Sequence, residues 1–258
     1  FSAKQIVRLM FLMDNRKIIL VTLEYPPKRG GAGVYCEELA YAAVQLGVDF
    51  EVWSPKGSVI TDGIKTIPFP FRGSQGVICS IRLVLEINKR IKKQFKPFII
   101  HVAEPACLRA FIRFDWLLDS ETDFYATIHG SELDRFTKFS IERRNFRRFL
   151  TRAKKIHVLS SYNERKLVVF SPESKQSICK FPGAPARRIL PDGKTPQKTV
   201  NTLRILCVAR IHPRKGQDYL LDVIGGLKYD LQKKIELCFV GPVIKQSFYK
   251  KLLEQNEK

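Results

Sequence analysis

A chain of 258 residues, 45% of them apolar, has room for one large domain or two smaller ones and enough apolar side chains to fill a core. Its 45 Lys and Arg against 25 Asp and Glu leave a net charge of +20, which favours anionic partners: nucleotide phosphates, anionic lipid headgroups or nucleic acid. No stretch supplies the ~20 consecutive apolar residues that span a bilayer, and six cysteines without a C-x-x-C pair fit buried free thiols in a reducing cytoplasm better than a disulfide framework.

In chain order, residues 1–13 mix apolar and basic side chains without a signal-peptide h-region or cleavage site. Met13-Asp14-Asn15 reads as a natural start, with residues 1–12 an upstream extension. Residues 17–23 are an apolar run of strand length, 24–33 an irregular loop, and 34–46 a helix by the spacing of Val34, Leu39, Ala42, Ala43 and Leu46. Strand, glycine loop, helix is the first crossover of a parallel α/β sheet. Gly30, Gly31 and Gly33 let the backbone turn tightly and let a ligand approach without a Cβ clash, and the helix start favours an anion. A role in the turn and in helix packing alone is the bland alternative for these glycines. The dinucleotide fingerprint G-x-G-x-x-G is absent, since Cys36 stands where its last glycine would fall.

The same grammar continues. Strands are expected at 49–53 and 64–67, a loop at 73–76, and a helix at 78–95 with Ile81, Val84, Leu85, Ile91 and Phe95 inward. A buried strand at 98–103, a helix at 105–118 with proline in its first turn, and a strand at 124–128 ending at His129-Gly130 follow. The helix at 141–153 turns Phe146, Phe149, Leu150 and Ala153 inward and its arginines outward. After a strand at 156–159, a capping box at 161–164 opens a helix to about 170, with one more short strand within 176–181. Residues 182–196, rich in Pro and Gly, read as a linker. Beyond it come a strand at 203–209, a helix at 216–227, a strand at 235–240 and a helix from about 245. Two strands and two helices cannot complete a doubly wound sheet, so the second unit reads as cut short.

Three loops beyond the carboxyl ends of strands carry chemistry. One holds Gly30, Gly31 and Gly33. The second is His129-Gly130-Ser131-Glu132, where His129 can act as a general base, a hydrogen-bond partner of the substrate, or a cap. The third runs from Arg210 to Gly216; Arg210 offers a planar fork and Lys215 a point charge to a diphosphate, unless both are plain surface cations. His101 and His157 sit inside strands and read as core residues, and no metal-ligand spacing is present.

Together these pieces resemble the retaining nucleotide-sugar glycosyltransferases of the GT-B fold, the group often called glycosyltransferase group 1 or family 4. Leu20-Val21-Thr22, Tyr25-Pro26-Pro27 and Gly30-Gly31-Ala32-Gly33-Val34-Tyr35 are similar to that family's first strand and glycine loop. Ile128-His129-Gly130 resembles its histidine-glycine pair, Val208-Ala209-Arg210-Ile211 with Lys215-Gly216 its donor-phosphate loop, and Phe239-Val240-Gly241-Pro242 its next strand and turn. The chain departs from the pattern at Ala209, where the family usually has glycine, and at Phe181-Pro182-Gly183-Ala184, in place of Asn-Gly-Val. The family's paired glutamates, seven residues apart, would fall beyond Lys258.

The resemblance implies an α/β, GT-B-like fold of two Rossmann-like domains facing a cleft, with the second incomplete. An acceptor-side domain spans 1–193 and the first part of the donor domain 194–258. It implies transfer of a sugar from a nucleotide diphosphate sugar to an acceptor hydroxyl with retention, and no cofactor besides that donor substrate. Arg210 and Lys215 would neutralise the leaving diphosphate, Gly30, Gly31, Gly33 and Gly241 would meet the donor or its phosphates, and His129 would touch the transferred sugar. The alternatives are a catalytically inactive fragment and a basic anion- or nucleic-acid-binding protein; no nucleic-acid-binding signature supports the latter. Between Arg135 and Lys155 stand nine basic residues and one acidic residue, Glu142. That excess, with the family's frequent use of lipid-linked acceptors, implies a glycan or lipid-linked acceptor. It also implies a cytoplasmic protein that touches the anionic inner membrane surface without an apolar wedge.

Overall fold

The first strand, β1 (Lys17–Val21), sends Ile18 and Leu20 to one side and Ile19 and Val21 to the other. Both sides are buried, as in a parallel sheet covered by helices on each face. The computed structural model describes residues 3–11, 16–27, 30–58, 63–70, 76–94, 97–183 and 202–256. The chain divides into two compact units, Phe1–Leu190 and Pro191–Lys258.

Unit 1 is a seven-stranded parallel sheet. After β1 come β2 (Phe50–Pro55), β3 (Lys65–Phe69), β4 (Phe98–Val102), β5 (Phe124–Ile128), β6 (Lys155–Val158) and β7 (Ile178–Lys180). Their spatial order is β3-β2-β1-β4-β5-β6-β7, with Leu20 opposite Val52 on one side and His101 on the other. The chain therefore reverses its direction of growth between β1 and β4, the position where ligands of open α/β sheets bind. One face packs on α1 (Ala3–Met10) and α2 (Gly31–Gln45), through Ile6, Val7, Met10, Cys36, Leu39 and Ala43. The other packs on α3 (Val77–Ile91), α4 (Pro105–Phe114), the short α5 (Ser131–Phe136), α6 (Ser140–Arg152) and α7 (Ser161–Phe170).

Several local expectations shift. Helix α2 begins at Gly31, not Val34, so Gly31 and Gly33 lie in its first turn instead of in a loop. In α3 the buried set is Ser80, Leu83, Val84, Ile87 and Ile91, while Leu85 is exposed; apolar residues on both flanks of this helix blurred its inward face. Ser160, not Ser161, caps α7, its hydroxyl accepting from the Asn163 amide at 3.2 Å. Helix α1, with Ile6, Val7 and Met10 in the core, was not read from the sequence. Cys36 and Cys107 are buried, but Cys238, expected inside, is exposed. The 73–75 part of the expected loop, Phe95, and the linker from residue 184 onward lie outside the described residues.

The basic helix α6 is not a simple solvated face. Arg148 and Arg152 fold back onto the fully buried Asp115, at 2.5 and 3.2 Å. Arg147 donates to Phe170 O at 3.2 Å and stands over that residue's ring. Arg143 and Arg144 stay exposed, and beside them Phe139 (68%) and Ile141 (69%) are exposed too, against the expectation that no apolar wedge exists.

Unit 2 pairs β8 (Leu203–Val208) with β9 (Ile235–Val240) in parallel, with α8 (Gln217–Gly225), α9 (Tyr229–Gln232) and α10 (Gln246–Asn256). Ile211, Phe248 and Leu252 form its small core. Leu206, Val208 and Val240 remain exposed on strands of a type that normally buries both faces.

Candidate functional site

At the carboxyl edge of unit 1, β1 runs out into Thr22, Leu23 and Glu24. The Thr22 hydroxyl donates to Glu24 O at 2.8 Å and accepts from the Glu24 amide at 3.1 Å, fixing this turn. Gly30 caps α2 in extended conformation (φ −113°), and among the described residues no side chain makes a capping hydrogen bond there. None of Gly30, Gly31 and Gly33 has positive φ, so backbone twist does not demand glycine there. Space distinguishes them. A Cβ on Gly31 would meet nothing within 4 Å, whereas one on Gly30 would collide with the Glu24 carboxylate. The helix start expected to attract an anion thus has the chain's own carboxylate lying against its cap.

One strand over, Glu104 follows β4 and caps α4, accepting from the amides of Ala106 (2.8 Å) and Cys107 (3.1 Å). Burial raises its carboxyl above the usual range despite those bonds, and the Glu24 charge adds to the rise. The Cys36 and Cys107 thiols are likewise pushed up by burial, so neither is an activated nucleophile.

His129 follows β5, half-buried, with Nε2 2.7 Å from Ala103 O. A carbonyl only accepts, so this nitrogen carries the proton, and in the neutral ring Nδ1 is left as an acceptor. The Tyr35 ring, from α2, meets the His129 ring edge-on, centroids 5.2 Å apart and planes at 89°. Gly130, next in the chain, has φ +134°, and a Cβ there would press on the Asn163 side chain.

Behind this pair runs a hydrogen-bond chain whose direction is determined by its ends. His157 Nε2 lies 3.0 Å from Phe181 O and must donate to it. Burial lowers the His157 pKa to about 4, so the ring is neutral and its Nδ1 accepts from the Tyr35 hydroxyl at 3.0 Å. The Tyr35 oxygen then accepts from Thr127 Oγ1 (3.2 Å), which accepts from His101 Nε2 (2.8 Å). His101, its pKa lowered to about 3 by burial, is left with a bare, buried Nδ1 that has no partner. Burial also pushes the Tyr35 phenol up, so it stays protonated.

Unit 2 presents a separate set. Arg210 follows β8, and Lys215 ends the 3-10 turn Pro213–Lys215; both are exposed, and neither side chain has a partner among the described residues. Gln217 shapes the loop from within, donating to Arg210 O at 3.0 Å and accepting from the His212 amide at 3.4 Å. Gly216 (φ +68°) closes the turn in the left-handed region. Gly241 (φ +153°) ends β9 so close to β8 that a Cβ would collide with Ala209 O. It therefore has a structural reason to be glycine, whatever it binds.

Of the residues singled out in the sequence, His129 stands after β5 and the glycines at the start of α2 in unit 1, and Arg210, Lys215 and Gly241 on loops of unit 2. Glu24, Tyr35, Glu104, Thr127 and His157 were missed as parts of a site. Glu104 had a signal, an acidic residue between a strand and a proline at the first helical position. Tyr35 and Thr127 had none, because they meet only across the sheet.

Comparison with known proteins adds the following. A family model described as Glycosyltransferase Family 4 matches residues 29–182. Among solved structures, the chain is similar to a glycosyltransferase from Rickettsia africae ESF-5, at 18% identity and TM-score 0.58, covering 94% of this chain and 65% of that one. It is similar to Anabaena HepE in complex with UDP and glucose, at 15% identity and TM-score 0.63, covering 93% and 65%. It is also similar to WaaG, a glycosyltransferase involved in lipopolysaccharide biosynthesis, at 15% identity and TM-score 0.62, covering 93% and 67%. At such identities the shared property is the fold, GT-B in these transferases. The chain spans 65% of the length of the first two. No curated protein matches it.

Proposed function

The chain belongs to glycosyltransferase family 4, and on that premise we propose that it serves transfer of a sugar from a nucleotide diphosphate sugar to an acceptor hydroxyl, with retention of configuration. The observation that carries this reading is the family match over 29–182, which contains the α2 start and His129. Arg210, just after β8, and Lys215, at the end of the following turn, are exposed and unpaired among the described residues; they take the leaving diphosphate and neutralise the charge that grows on it. Gly241 brings the neighbouring loop alongside. The amides of Gly31 and Gly33 meet the donor, and a phosphate at that helix start displaces the Glu24 carboxylate from Gly30. His129 accepts a hydrogen bond from a hydroxyl of the transferred sugar at Nδ1. The donor is the only small molecule required besides the acceptor.

The acceptor, a glycan or lipid-linked glycan, lies on residues 1–193, and residues 194–258 form the first part of the donor domain. Among the described residues no helix is long and apolar enough to cross a membrane. Phe139 and Ile141, exposed beside Arg143 and Arg144, support peripheral contact of a cytoplasmic protein with an anionic membrane. The exposed strands of unit 2 favour one second reading, a catalytically inactive fragment that binds nucleotide weakly or not at all.

The test is release of UDP from UDP-sugar donors. Arg210→Ala and Lys215→Ala should each lose about 2–4 kcal/mol of transition-state stabilisation, a fall of roughly 30- to 900-fold in turnover. Thermal unfolding should stay unchanged, since both side chains are exposed. Wild-type turnover in either variant removes that residue from the mechanism, and no release by the parent supports the fragment reading.

A further inference from the structure

We propose that Tyr35 is the positioning residue of this site: it sets the plane of the His129 ring and so the direction in which Nδ1 meets a sugar hydroxyl. The inference rests on the reading of His129 as a sugar contact. His129 is held by one hydrogen bond, Nε2 to Ala103 O at 2.7 Å. A single bond fixes the position of Nε2 but leaves the imidazole free to turn about the bond axis. The edge-on contact with Tyr35, at 5.2 Å and 89°, removes that rotation.

For such a contact to orient anything, Tyr35 must itself be immobile. Its hydroxyl accepts from Thr127 and donates to His157, and its ring lies tilted at 31° against His157. A phenylalanine would fill the same space without these anchors. Because Tyr35 stands in α2 just beyond the glycine turn, it also couples the α2 start to the end of β5, the two places in unit 1 assigned to the donor. Three imidazoles, a threonine and a tyrosine are thereby committed to one fixed orientation in a region where an apolar core would be simpler to build.

The test uses the full chain labelled with ¹⁵N-histidine and two-bond proton–nitrogen spectra, which report the tautomer of each ring. The wild type should show His129 only as the Nε2–H form. Tyr35→Leu should keep that tautomer, which the Ala103 carbonyl imposes, but broaden the His129 ring signals as the ring turns about its hydrogen bond, while Tyr35→Phe should keep them sharper. His129 signals as sharp in folded Tyr35→Leu as in the wild type overturn the proposal. Should Tyr35→Leu fail to fold, Thr127→Val removes one anchor and keeps the bulk; broadened His129 signals support the proposal and unchanged ones overturn it. Titration with UDP-glucose and with UDP separates positioning from damage. Tyr35→Leu should weaken UDP-glucose about tenfold, the weight of one hydrogen bond, and leave UDP unchanged. Equal loss for both ligands overturns a positioning role. If His129→Ala leaves both affinities unchanged, the reading of His129 fails, while the spectra still decide whether Tyr35 orients it.

Discussion

His101 and His157 are the residues whose chemistry is most altered by the fold, because each is neutral where an exposed histidine would titrate. Their pKa values fall from 6.5 to about 3 and about 4. The unfolded chain binds their protons near pH 6.5 and the folded chain does not. The stability this lends is therefore complete above pH 6.5 and is lost as pH falls toward 4. Each ring contributes a slope approaching 1.4 kcal/mol per pH unit, or about 2 kcal/mol for the pair between pH 6 and 5. Glu104, raised by burial, works in the opposite sense, gaining stability as pH falls through the carboxylate range. Urea unfolding at pH 7, 6 and 5 should show the midpoint falling, and a midpoint flat across that range would contradict the buried network. The sequence pointed to His129 and to structural roles for His101 and His157, since strand positions signal burial. It did not show that Tyr35 and Thr127 join them, because those partners lie 92 and 26 or more positions apart.

At the scale of elements, strands were easier to read than helix starts. The core strands of unit 1 announce themselves as short apolar runs, and β5 and β9 were placed without error. The start of α2 was not, because periodicity becomes visible only at the first buried apolar residue, while a helix can begin a turn earlier on glycines. Gly31 has open space around it and Gly33 is buried, a difference that only packing reveals. Helix α6 carries the testable consequence at this scale. Arg148 and Arg152 are consumed by Asp115, so the proposed membrane contact would rest on Arg143 and Arg144 with the exposed Phe139 and Ile141. The full chain should sediment with anionic vesicles at low salt and release at high salt. Arg143→Ala and Arg144→Ala should each cost about 1 kcal/mol of that binding. Equal partition to neutral vesicles, or none to anionic ones, would leave the charge as solubility alone.

At the scale of the molecule, the two units differ in completeness. Unit 1 covers both faces of a seven-stranded sheet and places Glu24, Glu104 and His129 around its switch point. Unit 2 has two strands, and its sheet stays partly open. Its loop geometry is nonetheless built: Gly241 lets β9 end against Ala209, and Gln217 holds the Arg210 turn from inside. The repeated strand–loop–helix grammar made this two-unit organisation legible in the sequence. The covering of each face was not, because it depends on α1 and on the sides that α3 turns inward. The central proposal is that a nucleotide sugar binds strand-end loops of this chain. Its most direct test is an amide chemical-shift map of the full chain titrated with UDP-glucose. The expected result is saturable shifts at Gly30–Cys36, His129, Gly130, Arg210–Gly216 and Gly241. Shifts absent from these loops, or centred on the opposite edge of the sheet at Arg16, Lys92 and Asp119, would contradict it.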